Sequence, residues 1–269
     1  MSRLRIGGWL LCATLALFGA GGCATMPSGP AWGANATLTP GWERIRASAV
    51  NAAKDPYVWV PVAGAAVFQI GDWDREVADW ARREQPIFGN DAGQWSDDLR
   101  SASSIAYVAT VLLTPGGDEP DEWFVNKAKG LAVGLAARGA TSLTTQALKQ
   151  GVGRERPDGS DHLSFPSGHA SASAANTRLA SRNLQSIEMT DTTRRVLDVG
   201  LVTLTIGTSW ARIEAGKHYP SDVLFGMALG NFFAAFINDA FLGQPADNRR
   251  GILLEALPGG AAVRFYVIY

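Results

Sequence analysis

The stretch Ser164 to Ser173, SFPSGHASAS, sets one of the chain's three histidines beside a proline and a glycine, where a loop turns into a helix. Proline is favoured in the first turn of a helix, because its missing N–H would have no partner there. The small residues that follow allow close approach, so the reading starts a helix at Pro166 with Ser167, Gly168 and His169 in its first turn. A helix N-terminus carries unpaired N–H groups and a positive partial charge, which suits an anion such as phosphate. Gly168 would let that anion come near the backbone. Taken alone, the same residues also describe an ordinary helix start with a surface histidine.

Outward from this point the apolar periodicity predicts helices over 42–54, 57–70, 72–84, 96–114, 121–149, 167–185, 190–210 and 220–241. A chain of 269 residues, 46% apolar and 18% charged, can bury a full core, and the expected fold class is an all-α helical bundle. The final segment changes character: GILLEALPGGAAVRFYVIY holds two β-prone runs about a Pro-Gly-Gly turn, which predicts a β-hairpin. In the stretch DWDREVADW, Trp73, Val77 and Trp80 recur at helical spacing and read as a core stripe. A net charge of -1 supplies no basic field for nucleic acid.

The N-terminus reads as an export signal, with Arg3 and Arg5 ahead of an apolar stretch that ends in small residues. The cysteine in GAGGCATMPSG resembles the lipidation site of a bacterial lipoprotein signal, which would leave Cys23 as the lipidated first residue; an ordinary cleaved signal with an incidental cysteine is the alternative. The other cysteine, Cys12, lies inside the apolar stretch, so the mature chain would hold no internal disulfide. The expected organisation is a signal peptide at 1–22, a flexible tether at 23–41, a helical domain at 42–245 and a hairpin extension at 246–269. Most apolar windows stop short of the roughly 20 residues a bilayer requires. DVLFGMALGNFFAAFINDAF is nearly long enough, but Asn231 and Asn238 interrupt it. Buried helices of a soluble bundle are therefore favoured over a multi-span protein, which glycine- and alanine-rich helices would also permit.

Two further motifs flank the first. Upstream, in KQGVGRERP, six residues separate Lys149 from Arg156, and Pro157 follows. Downstream, in ARIEAGKHYPSD, Arg212 precedes His218 by six positions and Asp222 lies four beyond that. Lys-x6-Arg-Pro, Pro-Ser-Gly-His and Arg-x5-His-x3-Asp, in that order, resemble the signature of the type-2 phosphatidic acid phosphatase superfamily, which includes bacterial class A acid phosphatases, lipid phosphate phosphatases and vanadium haloperoxidases. The resemblance spans Lys149 to Asp222, with Ala211 where the family often has serine before the arginine. It implies a bundle of the acid phosphatase/vanadium haloperoxidase type.

The chemistry agrees. A phosphoryl group in transfer spreads its charge over three oxygens, so the protein has chiefly to surround them with donors. Lys149, Arg156 and Arg212 offer three cations, and the backbone N–H groups of Ser167 and Gly168 with the Ser167 hydroxyl would complete the cradle. No metal or other cofactor is expected, because acidic residues do not cluster at ligand spacing near the motifs. His218 and Asp222 stand i to i+4, so the carboxylate would orient the imidazole as the nucleophile that forms a phosphohistidine. His169 would protonate the leaving oxygen and then activate water, a role commonly contributing about 10²- to 10⁴-fold. The resemblance implies the same roles. Arg154 reads as an exposed basic residue of the loop, and His162 as solvated or at a substrate rim.

The expected protein is thus an exported phosphatase of the cell envelope, acting on phosphomonoesters or lipid phosphates and held to a membrane through Cys23. The alternatives are a vanadate-dependent peroxidase using the same cradle and a catalytically silent envelope lipoprotein that binds lipid phosphates.

Overall fold

The computed structural model describes residues 31–243, 250–257 and 260–267; the expected signal peptide, Cys23 and the first part of the expected tether lie outside the described residues. Its helices are α1 (Trp42–Lys54), α2 (Pro56–Val67), α3 (Trp73–Glu84), α4 (Ala92–Leu113), α5 (Pro120–Val152), α6 (Gly168–Leu184), α7 (Asp191–Glu214) and α8 (Pro220–Ile237). A π-helical turn, Asn238–Leu242, continues α8. Strands β1 (Arg250–Leu257) and β2 (Gly260–Val267) pair antiparallel, with Arg250 opposite Val267 and Leu257 opposite Gly260.

Helix α6 is the axis of the bundle, and α4, α5, α7 and α8 pack around it. Its residues are small enough to let four neighbours approach: Ala170, Ala174, Ala175 and Ala180 are buried, with Leu179 and Leu184 filling the wider gaps. The closest approach is by α8. A methyl group built at Gly230 would lie 2.2 Å from the Ser171 carbonyl oxygen, and one at Gly226 would lie 2.6 Å from that of Ser167. Two glycines four apart therefore set the spacing of the two helices that carry the second and third motifs.

Helix α4 runs alongside α6 in the same direction. Asp97 meets His169, Ser103 and Ser104 accept from Asn176, and Thr110 accepts from Asn183. Buried polar groups lose free energy unless paired, so this ladder of amides and hydroxyls fixes the register of α4 on α6. Helices α7 and α8 are each long and apolar enough to cross a membrane by length and composition, and α8 is largely buried within the bundle.

Two sequence expectations are corrected. Trp73 and Trp80 are 50% and 43% exposed, and α3 instead buries Asp74, Ala78 and Ala81. The reason is local: Asp74 is needed inward to bind Ser221 and Arg154, which turns the tryptophans outward. The second concerns 31–41, read as tether. Trp32 is 3% exposed, its backbone N–H donates to the Pro115 carbonyl, and its ring lies against Gly130. Further on, the Thr37 N–H donates to the Phe241 carbonyl. One large apolar ring in a glycine- and alanine-rich stretch suffices to dock it.

Replacing Gly230 by alanine drives a methyl group into α6 backbone that cannot yield cheaply. It is expected to lower unfolding free energy by about 1–3 kcal/mol, read as a reduced denaturant midpoint with unchanged slope.

Candidate active site

Helix α5 ends at Val152 because Gly153 takes a left-handed φ of 59°, and the chain leaves into the loop that carries the first motif. Helix α6 begins at Gly168, and Ser167 is its N-cap, with its Oγ accepting from the Ala170 N–H at 3.4 Å. Pro166 thus stands outside the helix. The Ser167 N–H donates to the Asp222 carbonyl at 3.0 Å, and Ser167 is fully buried. It serves as the cap and as the tie to α8, so its backbone donor is not available to an anion; Gly168 and His169 border the open space instead.

That space is a cavity of about 630 Å³. Lys149, Arg156, Gly168, His169, Arg212 and His218 all line it, so residues from three separated motifs converge on one hollow. Asp222 stands behind them with no exposure to solvent.

The cations are crowded. Burial, and then the positive charge of Arg156, brings Lys149 down to about 8, and its ammonium donates to the Leu163 carbonyl. Arg212 is lowered to about 10 for the same two reasons. Its Nη1 donates to Ser96 at 3.3 Å, while its buried Nε has no hydrogen-bond partner among the described residues. Arg156 is held from outside: Nε donates to Asp161 at 2.6 Å, and Asp161 in turn accepts from the Leu163 N–H.

His218 is oriented differently from the sequence expectation. Its Nδ1 lies 2.7 Å from the Ser164 carbonyl oxygen and 3.9 Å from Asp222 Oδ2. A carbonyl can only accept, so Nδ1 carries the proton and Nε2 keeps its lone pair. Asp222 acts one step removed. Its Oδ2 accepts from Ser164 Oγ at 2.5 Å and from the Tyr219 N–H at 2.9 Å, which fixes the residue whose carbonyl holds the ring. Burial pushes His218 down to about 4, so the imidazole is neutral over the ordinary pH range. Hydrogen bonds and the nearby guanidinium hold Asp222 below the usual carboxylate range in spite of its burial.

Several participants escaped the sequence reading. Arg154, read as an exposed loop residue, bridges Asp222 and Asp74 at 2.7 Å each and stacks 3.9 Å from the centre of the Tyr219 ring. It joins α3 to the start of α8. Asp97 binds His169 Nε2 at 2.7 Å; burial lowers the His169 pKa and this carboxylate opposes the shift. Arg100 and Arg138 also line the cavity. Arg138 had a visible signal, since it is the only charged residue between positions 130 and 148. Asp97 and Arg100 sit on a mixed surface helix where nothing in the pattern marks them. His162 is exposed, as read.

Replacing Arg154 by alanine strips two carboxylates, Asp74 and Asp222, of a shared cation. Breaking a buried pair costs about 3–5 kcal/mol, and the 27% exposure of the Arg154 side chain reduces that. A loss of about 2 kcal/mol is expected in denaturant unfolding, and Arg154→Lys should recover part of it.

Residues 128–242 match the family model described as PAP2 superfamily. No curated protein matches the sequence at a significant level. Among solved structures, the fold is similar to that in the crystal structure of the first transmembrane PAP2 type phosphatidylglycerolphosphate phosphatase from Bacillus subtilis, with a TM-score of 0.50 at 17% identity over 71% of this chain and 94% of that one. The matched region runs from the first turns of α5 to the end of the π-helical turn and contains every motif residue that meets at the cavity, so the part of the chain that builds the site is similar to the PAP2, or type-2 phosphatidic acid phosphatase, superfamily.

Proposed function

We propose that the chain is a phosphatase that hydrolyses phosphomonoesters, lipid phosphates foremost, through a phosphohistidine at His218. The observation that carries this reading is the convergence of Lys149, Arg156 and Arg212 with His169 and His218 on one cavity. The three cations take the phosphate oxygens, and the N-terminus of α6 at Gly168 faces the same space. His218 Nε2 attacks phosphorus, the P–N bond forms, and the ester P–O bond breaks as His169 delivers a proton to the leaving oxygen. His169 then takes a proton from water, the hydroxide attacks phosphorus, and the P–N bond breaks to restore His218. The positive charge on the phosphorylated ring is met by Asp222 at 3.9 Å, and that on His169 by Asp97.

The lipid substrate is supported by the surface around the cavity. Ile105, Val108 and Leu112 on α4 and Leu131, Leu135 and Leu143 on α5 are exposed, and Leu135 itself lines the cavity. Exposed apolar side chains grouped on helices beside a polar pocket suit contact with a membrane surface, from which a lipid head group would enter. An envelope location with an anchor at Cys23 rests on the leader sequence.

Replacing His218 by alanine should lower kcat by at least about 10³-fold and abolish acid-labile phosphate labelling; retained labelling would exclude this nucleophile. The pH profile of kcat/KM should be bell-shaped. Activity should fall on the acid side as His218 gains a proton near 4, and on the alkaline side first as the general acid His169, held below the ordinary imidazole value by burial, loses its proton and again as Lys149 loses its own near 8. Lys149→Arg should remove the second alkaline step and leave the first, because arginine stays charged.

A further inference from the structure

The cavity is larger than a phosphate requires. At about 630 Å³ it is of the size that encloses a drug-sized ligand, about 300–1,000 Å³. It is also a groove with a direction. Its floor is α6, where Gly168, His169, Ala172 and Ala175 follow one another along one face. One wall is α5, where Arg138, Ser142, Thr145 and Lys149 stand at successive turns of the same face. Thr145 bonds Ser171 at 3.0 Å and Lys149 lies beside Gly168, so α5 runs opposite to α6 here, with Lys149 level with the start of α6 and Arg138 towards its far half. At 1.5 Å per residue, Arg138 lies about 16 Å along the helix from Lys149. The other wall is α4, where Arg100 comes one turn after Asp97, the partner of His169.

Arg100 and Arg138 are thus cations in the groove beyond the phosphate cradle, on the leaving-group side of His169. Neither is engaged as a firm structural ion pair. Arg138 lies over the face of Tyr107 at 5.5 Å, and no ion pair of Arg138 is present among the described residues. Arg100 stands 3.8 Å from Asp97, whose Oδ1 is already bound at 2.7 Å to His169. Among the described residues no carboxylate lines the cavity. Five cations facing one hollow exceed what a single phosphate dianion can balance, and the two extra ones are guanidiniums, suited to bidentate contact with an oxyanion.

We propose that Arg100 and Arg138 form a second anion subsite, so that the preferred substrate is a phosphomonoester whose leaving group carries another phosphate, on the order of 10 Å from the scissile phosphorus, between the roughly 5 Å turn that offsets Arg100 and the roughly 16 Å that offset Arg138. This assignment rests on the phosphatase reading for which phosphate is cleaved, and its ligand binding can be read without turnover. A compact diphosphate would place both phosphates within the cradle and leave Arg138 unused. A spaced pair engages both ends.

The test is calorimetric titration of the whole chain with non-hydrolysable phosphonates: methylphosphonate, methylene bisphosphonate, hexylphosphonate and hexane bisphosphonate. The expected result is that hexane bisphosphonate binds about tenfold tighter than hexylphosphonate, as one bidentate guanidinium contact allows, while the two methyl-spaced ligands differ by much less. Arg138→Gln and Arg100→Gln should each cut the hexane preference severalfold, and Arg138→Lys, which keeps the charge over Tyr107, should keep part of it. Binding of hexylphosphonate by each variant reports that the cradle is folded. Equal affinity for the hexyl pair in the wild type, or a preference that survives both arginine substitutions, overturns the subsite. Turnover of p-nitrophenyl phosphate in the same preparation keeps the readings apart: turnover without the preference removes the subsite alone, and the preference without turnover removes the phosphatase reading alone.

Discussion

A carboxylate with no contact to solvent must be solvated by the protein around it, and Asp222 is such a group. Its donors come from distant parts of the chain: Arg154 from the loop after α5, Ser164 from the approach to α6, and the Tyr219 N–H from the start of α8. The Asp222 carbonyl adds a fourth tie by accepting from Ser167. Satisfying this one charge therefore gathers the three motif segments. The cavity between them is a consequence of that solvation as much as of the helix packing. The Ser164 carbonyl that orients His218 is held by the same side chain, so the proton position on the imidazole is also set by it.

The opposite sign governs the other side of the site. Lys149 and Arg212 are both depressed, by burial and by Arg156. An assembly of this kind is under electrostatic strain when no anion is present and is relieved when one enters. The strain is borne by what surrounds it: the packed α6–α8 contact cannot relax, and Asp161 and Asp158 anchor Arg156 and Lys217 from the rim. Because the cations are held in place before any ligand arrives, a phosphate bound there would meet preorganised charge with little reordering.

The helices were legible because their apolar positions repeat at the helical period, and most ends agree within a few residues. The motif residues were legible because their spacing is distinctive. What the pattern does not carry is the direction of a polar side chain inside a packed bundle. Asp74 lies in a charged stretch that looks solvated, yet it faces inward to meet Ser221 and Arg154. The Trp73 and Trp80 stripe looks like core and is turned out as a result. Asp97 reaches His169 across 72 positions of sequence, and such pairings arise only when two helices run side by side in a definite register. Ser167 illustrates a finer limit, since a one-residue difference in where a helix begins changes a donor to an anion into a cap.

The docking of Trp32 against Gly130 has a geometric corollary. Gly130 and Lys149 lie on the same helix, about 28 Å apart along its axis at 1.5 Å per residue. The described polypeptide thus joins the bundle at the pole remote from the phosphate cradle. A restraint acting upstream of Ala31 would grip the molecule by its far end and leave the mouth of the proposed site free to swing. The span between the two is close to the hydrocarbon thickness of a bilayer, about 30 Å, so the direction of the long axis would decide which phosphates the proposed site can meet.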